Sequence, residues 1–322
     1  MYGPRRRRAL LAAIALLIAL TLFPAASYRL SETPAAEITT PPLEVGPAYG
    51  SAVRWPQQGQ GALVLGNRRP QVSPHEQPLP IASVAKVMTA NLVLKHYPLS
   101  GVQQGFTITV TQAQAQAEAQ DAADGGSVVA VRAGEQLTER QLLEALLIPS
   151  GNNIADILVS RVAGSESRFL EEMNAEAHTL GMDRTLYTDP SGLDPSTVST
   201  AGDQLKVFQQ AMRSPVFRSV VSMPSVTLPV AGTVRNFNPL SSAGYAGKTG
   251  SDSAAGGCLA FFTHVSLGGR RQTAVGVVLG QGQGSDTSAV LAAAGEAAVR
   301  MVGSVAGGPH RHELAGPPLR RG

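Results

Sequence analysis

Apolar and polar positions along the chain mark out a series of short elements. Gly61–Leu65 (GALVL) is a continuous apolar run and reads as a strand. Ile81–Tyr97 places Val87, Met88, Asn91, Leu92 and Lys95 at helical spacings and reads as a helix opening at Ser83. Phe106–Val110 (FTITV) alternates, predicting a short strand, whereas the Ala/Gln-rich stretch Thr111–Ala123 fits either helix or loop. Within Leu137–Val162, Thr138-Glu139-Arg140-Gln141 has the form of a capping box, and Leu142, Ala145 and Leu146 continue on one face. Pro149 interrupts this helix, and Asn152–Val162 resumes the helical pattern. Two more helices are predicted, Arg168–Leu180 stopped by Gly181, and Ala201–Arg213. Cys258–Val265 and Thr273–Leu279 read as strands joined by a hairpin through Leu267-Gly268-Gly269-Arg270, and Ser285–Val302 reads as a closing helix. Helices thus fill the middle and strands bracket them. That order predicts an α/β lobe built from both ends of the chain, with an all-helical lobe inserted.

Charge changes the picture at the ends. The net charge of +3 and the pI of about 9.2 would ordinarily point to a polyanionic partner. The excess is terminal: Arg5, Arg6, Arg7 and Arg8 stand in residues 1–27 without any acid, and Arg311, Arg320 and Arg321 face only Glu313 in the tail. The body between is slightly acidic, which argues against nucleic-acid binding. The uncharged run Ala9–Ser27 behind the four arginines has the form of an export signal or a retained membrane anchor, so the body is expected to work outside the cytoplasm. Residues 28–50 read as a Pro/Thr-rich linker, 51–303 as the folded domain, and 304–322 as a disordered Gly/Pro/Arg tail. The single cysteine, Cys258, excludes an intrachain disulfide and reads as core packing. Scattered histidines give no metal motif, and no metal or cofactor is expected. Gly280–Gly284 reads as a plain strand-to-helix loop, and Glu135 and Asp203 as cap or surface residues.

Three short motifs carry candidate chemistry. In Ser83-Val84-Ala85-Lys86, a lysine one turn after a serine lies within reach of its hydroxyl. Desolvation can lower a lysine's pKa until it acts as a base toward that hydroxyl. Ser150-Gly151-Asn152 falls at the helix break, where two side chains can be aimed into a cleft, and Lys248-Thr249-Gly250 precedes a predicted strand and offers a carboxylate grip. Each alone is an ordinary cap, turn or glycine-rich connection. Only four lysines occur among the 26 basic residues, and two of them, Lys86 and Lys248, lie in these motifs. Arginine could not replace Lys86 as a base, because it keeps its proton.

In this order the motifs resemble the Ser-x-x-Lys, Ser-x-Asn, Lys-Thr-Gly set of the penicillin-binding proteins and serine β-lactamases. Pro80–Ala90, Ser150-Gly151-Asn152-Asn153, Pro190-Ser191-Gly192-Leu193-Asp194 and Ala255-Gly256-Gly257-Cys258-Leu259 extend the likeness specifically to the serine D-Ala-D-Ala carboxypeptidases. The resemblance implies a β-lactamase/DD-peptidase-like α/β fold with a mainly antiparallel sheet flanked by helices. It also implies removal of the terminal D-Ala from peptidoglycan stem peptides through an acyl-enzyme on Ser83. Lys86 would be the base. Ser150 and Asn152 would relay the proton and position the peptide, and Lys248, Thr249 and Gly250 would bind the substrate. The backbone N–H groups of Ser83 and Ser251 would form the oxyanion hole. β-Lactams would acylate the same serine. A DD-endopeptidase cutting cross-links is the alternative, with a non-catalytic wall-binding protein further off. A β-lactamase is disfavoured because Glu171-Glu172-Met173-Asn174 lacks the spacing of a deacylating Glu-x-x-Leu-Asn segment. The chain departs from the family pattern at Asp252, where Thr is frequent.

Overall fold

A computed structural model describes residues 53–123, 126–284 and 286–306. The expected signal or anchor, the linker and the tail from residue 307 onward lie outside the described residues.

The apolar run of the first strand is buried along its whole length, because it lies inside a sheet covered on both faces. This strand, β1 (Gln60–Leu65), is followed by β2 (Gln71–Val72). The rest of the sheet comes from the other end of the chain: β9 (Ala246–Asp252), β10 (Gly256–Leu267) and β11 (Arg270–Gln281). The order is β2-β1-β11-β10-β9, antiparallel throughout. The β10–β11 hairpin turns on Gly268 and Gly269, at φ 57° and 75°, a left-handed pair that matches the strand twist. A register shift between Gly257 and Leu259 kinks β10. Between them, three two-stranded pairs lie outside the sheet: β3 (Leu79–Pro80) with β6 (Val198–Ser199), β4 (Thr107–Thr109) with β5 (Gln136–Thr138), and β7 (Ser225–Leu228) with β8 (Gly232–Arg235).

The inserted helices are α1 (Lys86–His96), α2 (Gln112–Ala123), α3 (Glu139–Leu147), α4 (Asn152–Val162), α5 (Glu166–Thr179), α6 (Ala201–Ala211) and α7 (Pro215–Val221). Helix α1 is buried on all sides from Lys86 to Leu94, as the central helix of the lobe. The capping box of α3 forms as expected, with Thr138 accepting from the Gln141 N–H and the Gln141 side chain returning to Thr138. The closing helix, α8 (Thr287–Val305), covers the other sheet face. Its buried side chains Ala294, Ala297, Met301 and Val302 join Leu63, Leu259, Phe261 and Val278 in one cluster. It is long and apolar enough to span a bilayer, but its apolar face is spent on this core.

Several expectations shift. The α-helix expected at Ser83 starts at Lys86, because Ala82–Ala85 form a tighter 3₁₀ turn. Thr111–Ala123 resolves to helix. Lys248-Thr249-Gly250 lies inside a strand rather than ahead of one, since backbone pairing with β10 outweighs the poor strand propensity of its glycines. The closing helix, read from the pattern as ending at Val302, runs on to Val305 because Val302 and Val305 still face the core. Helix α7, opened by Ser214 and Pro215, and the β7–β8 hairpin were not anticipated from the pattern. Asp203 lies in the first turn of α6, its N–H donating to the Thr200 cap, but at 5% exposed it is buried and not on the surface; it accepts from Arg184 N and Thr185 Oγ1.

Candidate active site

The 3₁₀ turn that displaced the helix start is what brings the first motif together. Side chains three apart eclipse in such a turn. Lys86 Nζ accordingly lies 2.8 Å from Ser83 Oγ. The same ammonium nitrogen donates to Asn152 Oδ1 at 2.6 Å and to the Ser191 carbonyl at 3.1 Å. Lys86 is fully buried. Asn152 stands at the first position of α4 because the chain breaks at Ile148–Gly151: Gly151 N–H reaches back to Ala145 O and Asn152 N–H to Ser127 O. A Cβ on Gly151 would sit 2.8 Å from both Ile154 and Val129, so the middle residue of that motif has to be glycine.

The second lysine forms a parallel group. Lys248 Nζ donates to Ser150 Oγ at 2.8 Å and to the Thr249 carbonyl at 2.7 Å, and is also buried. Gly250 brings strand β9 against the 3₁₀ turn that carries Ser83. A Cβ there would lie 2.8 Å from Ile81 O and 2.9 Å from the backbone nitrogens of Ser83 and Val84. Thr249 and Ser251 flank it on the same edge strand, opposite Leu259 and Gly257 of β10. The departure at Asp252 has a local role: its Oδ1 accepts from Ala254 and Ala255 N–H at 2.8 and 2.6 Å and tightens the β9–β10 turn. Among the described residues, three non-glycine residues have positive φ. Two of them lie at these motifs, Ala82 (44°) directly before Ser83 and Ser150 (66°) as the first residue of the second motif. Such conformations cost of order 1–3 kcal/mol each and cluster at functional sites.

A family model described as D-alanyl-D-alanine carboxypeptidase matches residues 71–282, a span that holds all three motifs. The chain belongs to the D-alanyl-D-alanine carboxypeptidase family. Over 223 residues it is 31% identical to a D-alanyl-D-alanine endopeptidase of Pseudomonas aeruginosa, covering 69% of this chain and 64% of that protein. It is 34% identical over 194 residues to a D-alanyl-D-alanine carboxypeptidase of Mycobacterium tuberculosis, covering 58% of each. These matches therefore span about three-fifths of the length of either relative. The crystal structure of the Streptomyces K15 DD-transpeptidase is similar with a TM-score of 0.65 at 26% identity, covering 78% of this chain and 98% of that one. The DD-peptidase fold, with its antiparallel sheet drawn from both ends of the chain, is therefore the fold of this protein.

In this family setting the electrostatics of the two lysines matter. Burial lowers the Lys86 pKa to about 7, against the upward pull of Asp189 and Asp156. Burial lowers Lys248 well below the ordinary lysine range, and the neighbouring Lys86 charge lowers it further. A neutral Lys86 has two N–H groups and one lone pair. Asn152 Oδ1 and Ser191 O are the two acceptors within reach, which leaves the lone pair for the Ser83 hydroxyl.

Sequence reasoning missed the Ser191 carbonyl. The Pro190–Asp194 segment was legible as part of the family resemblance, but a main-chain oxygen has no residue signature. Elsewhere, Cys258 is buried with its thiol pushed up to about 12 by burial, as core packing requires. Among the described residues, no group of three or more His, Cys, Asp or Glu gathers to hold a metal ion.

Proposed function

We propose that the protein is a serine-type D-Ala-D-Ala carboxypeptidase of peptidoglycan, with Ser83 as nucleophile. The observation that carries this reading is the Lys86 ammonium, buried and 2.8 Å from Ser83 Oγ, with its other contacts taken by two acceptors. Near pH 7 a substantial fraction of Lys86 is neutral and can take the Ser83 proton as the oxygen attacks the carbonyl between the last two D-Ala residues. The Ser83 and Ser251 N–H groups stabilise the oxyanion. The proton taken by Lys86 is passed on through Ser150, which is hydrogen-bonded to Lys248, to the leaving amine, and the Asn152 amide nitrogen orients the peptide. Lys248 and Thr249 hold the terminal carboxylate, with Gly250 permitting close backbone approach. Water then hydrolyses the acyl-enzyme. β-Lactams present a strained amide to the same serine and are covalent inhibitors. The peptidoglycan substrate and the basic-then-apolar segment at residues 5–27 support an extracytoplasmic enzyme, exported or held by an N-terminal helix.

Fluorescent penicillin is expected to label the protein, and Ser83→Ala to abolish labelling; a labelled Ser83→Ala sinks the assignment. A DD-endopeptidase is the second reading, favoured by the 31% identity to a protein of that name. D-Ala release from a pentapeptide, compared with cleavage of cross-linked dimers, separates the two. Acylation without any turnover supports a wall-binding role instead.

A further inference from the structure

We propose that Asp189 is a positioning residue for Lys86, fixing the Ser191 carbonyl on the lysine and supplying a half-buried counter-charge beside the site. The inference rests on the reading of Lys86 as the base. Asp189 Oδ2 accepts from the Ser191 N–H at 3.1 Å, the Ser191 hydroxyl at 2.7 Å and the Leu193 N–H at 2.9 Å. Its Oδ1 accepts from Thr197 Oγ1 at 2.6 Å. The Ser191 and Leu193 N–H groups, which bracket the Ser191–Gly192 peptide, are thus tied to one oxygen, and the Ser191 carbonyl faces Lys86 Nζ.

The surrounding loop has little freedom to compensate. Thr89 of α1 donates to the Pro190 carbonyl at 2.6 Å, and Thr197 Oγ1 accepts from Thr188 and Asp189 N–H at 3.0 and 3.2 Å. Gly192, at φ 79°, passes so close under the nucleophile turn that a Cβ would lie 1.9 Å from Ala82 O. The carboxylate therefore converts the geometry of one loop into the direction of one Lys86 N–H. With that N–H and its partner held by Ser191 O and Asn152 Oδ1, the lone pair keeps a single orientation toward Ser83.

The charge acts on the same nitrogen. The charged groups facing Lys86 are Asp189 from this loop, Asp156 from α4 and Lys248 from β9. An anion favours the protonated lysine, so removing it makes Lys86 neutral at lower pH.

The two effects separate in two variants. Asp189→Asn keeps the shape and an acceptor but loses the charge. Asp189→Glu keeps the charge but displaces the oxygens by a methylene. The readout is the rate of acylation by fluorescent penicillin against pH, with thermal melts as the check on folding. Asp189→Asn is expected to move the acid-limb midpoint about half to one pH unit below that of the wild type. Asp189→Glu is expected to keep the midpoint and lose about 10- to 100-fold in plateau rate. A residue that merely stabilised the loop would lower both melting temperatures and move neither quantity. Either an unmoved midpoint in Asp189→Asn or an undiminished plateau in Asp189→Glu overturns the proposal. Should one variant not fold, the other decides. A wild type without any pH-dependent labelling would instead overturn the base assignment itself, so the two failures are distinguishable.

Discussion

At the residue scale the site depends on a lysine that burial has brought into the range of a base. Its pKa of about 7 predicts that penicillin acylation rises with pH through a midpoint near 7, as the neutral amine becomes the dominant form. The sign follows from the direction of the shift: desolvation penalises the ammonium, so the neutral form is gained as pH increases. Lys86→Arg keeps a cation in place yet has no accessible neutral form. It is expected to acylate as slowly as Lys86→Ala, by at least about a hundredfold relative to wild type. A rate for Lys86→Arg near that of wild type would contradict this. The Ser83–Lys86 relation was legible in the sequence because spacing alone makes them neighbours in any helical turn. The contributions of Ser191 and Asp189 were not, because one acts through its carbonyl and the other through hydrogen bonds to main-chain N–H groups.

Elements decide how closely the parts of the site approach. Strand β9 can press on the Ser83 turn only because Gly250 has no side chain. Gly250→Ala would place a methyl within 2.9 Å of three backbone atoms of that turn, so penicillin labelling is expected to fall at least about tenfold even where the protein folds. Helix α3 illustrates the opposite case. The sequence places Glu139 inside the Thr138–Gln141 capping box, yet it is 1% exposed, tucked against Gly105, with Oε1 lacking a hydrogen-bond partner among the described residues. Burial raises its pKa to about 7, against a backbone hydrogen bond from Phe106 and the charges of Arg161 and Arg140. A raised carboxyl pKa means that its stabilising protonated state is complete below about pH 4.5 and lost as pH rises through about 7. Glu139→Gln stays neutral throughout. Denaturant titrations should therefore find it close to wild type at pH 4 and more stable by about 1–3 kcal/mol at pH 8. Equal stability at pH 8 would mean that the carboxylate is solvated.

On the scale of the whole molecule, the sheet joins β1 from near one end of the described residues to β9, β10 and β11 near the other, with α8 sealing the outer face. A chain trimmed to residues 53–306 keeps every described element and should still bind fluorescent penicillin. Trimming further, to end at residue 284, strips α8 from Leu259, Phe261 and Val278 and should leave aggregated, unlabelled protein, since exposing large apolar side chains to water costs up to about 1.5–3 kcal/mol for each. Solubility and labelling of the two trimmed chains measure this directly. The helix-rich middle, the bracketing strands, the capping box at Thr138 and the three motifs were determined by the sequence itself, because each rests on local spacing or on residue types that chemistry cannot exchange. Tertiary structure alone decided that Lys248-Thr249-Gly250 is a strand, that Glu139 is buried, and that a carbonyl from the loop after α5 meets Lys86. Those outcomes depend on contacts between segments far apart in the chain, where packing and desolvation outweigh local preference.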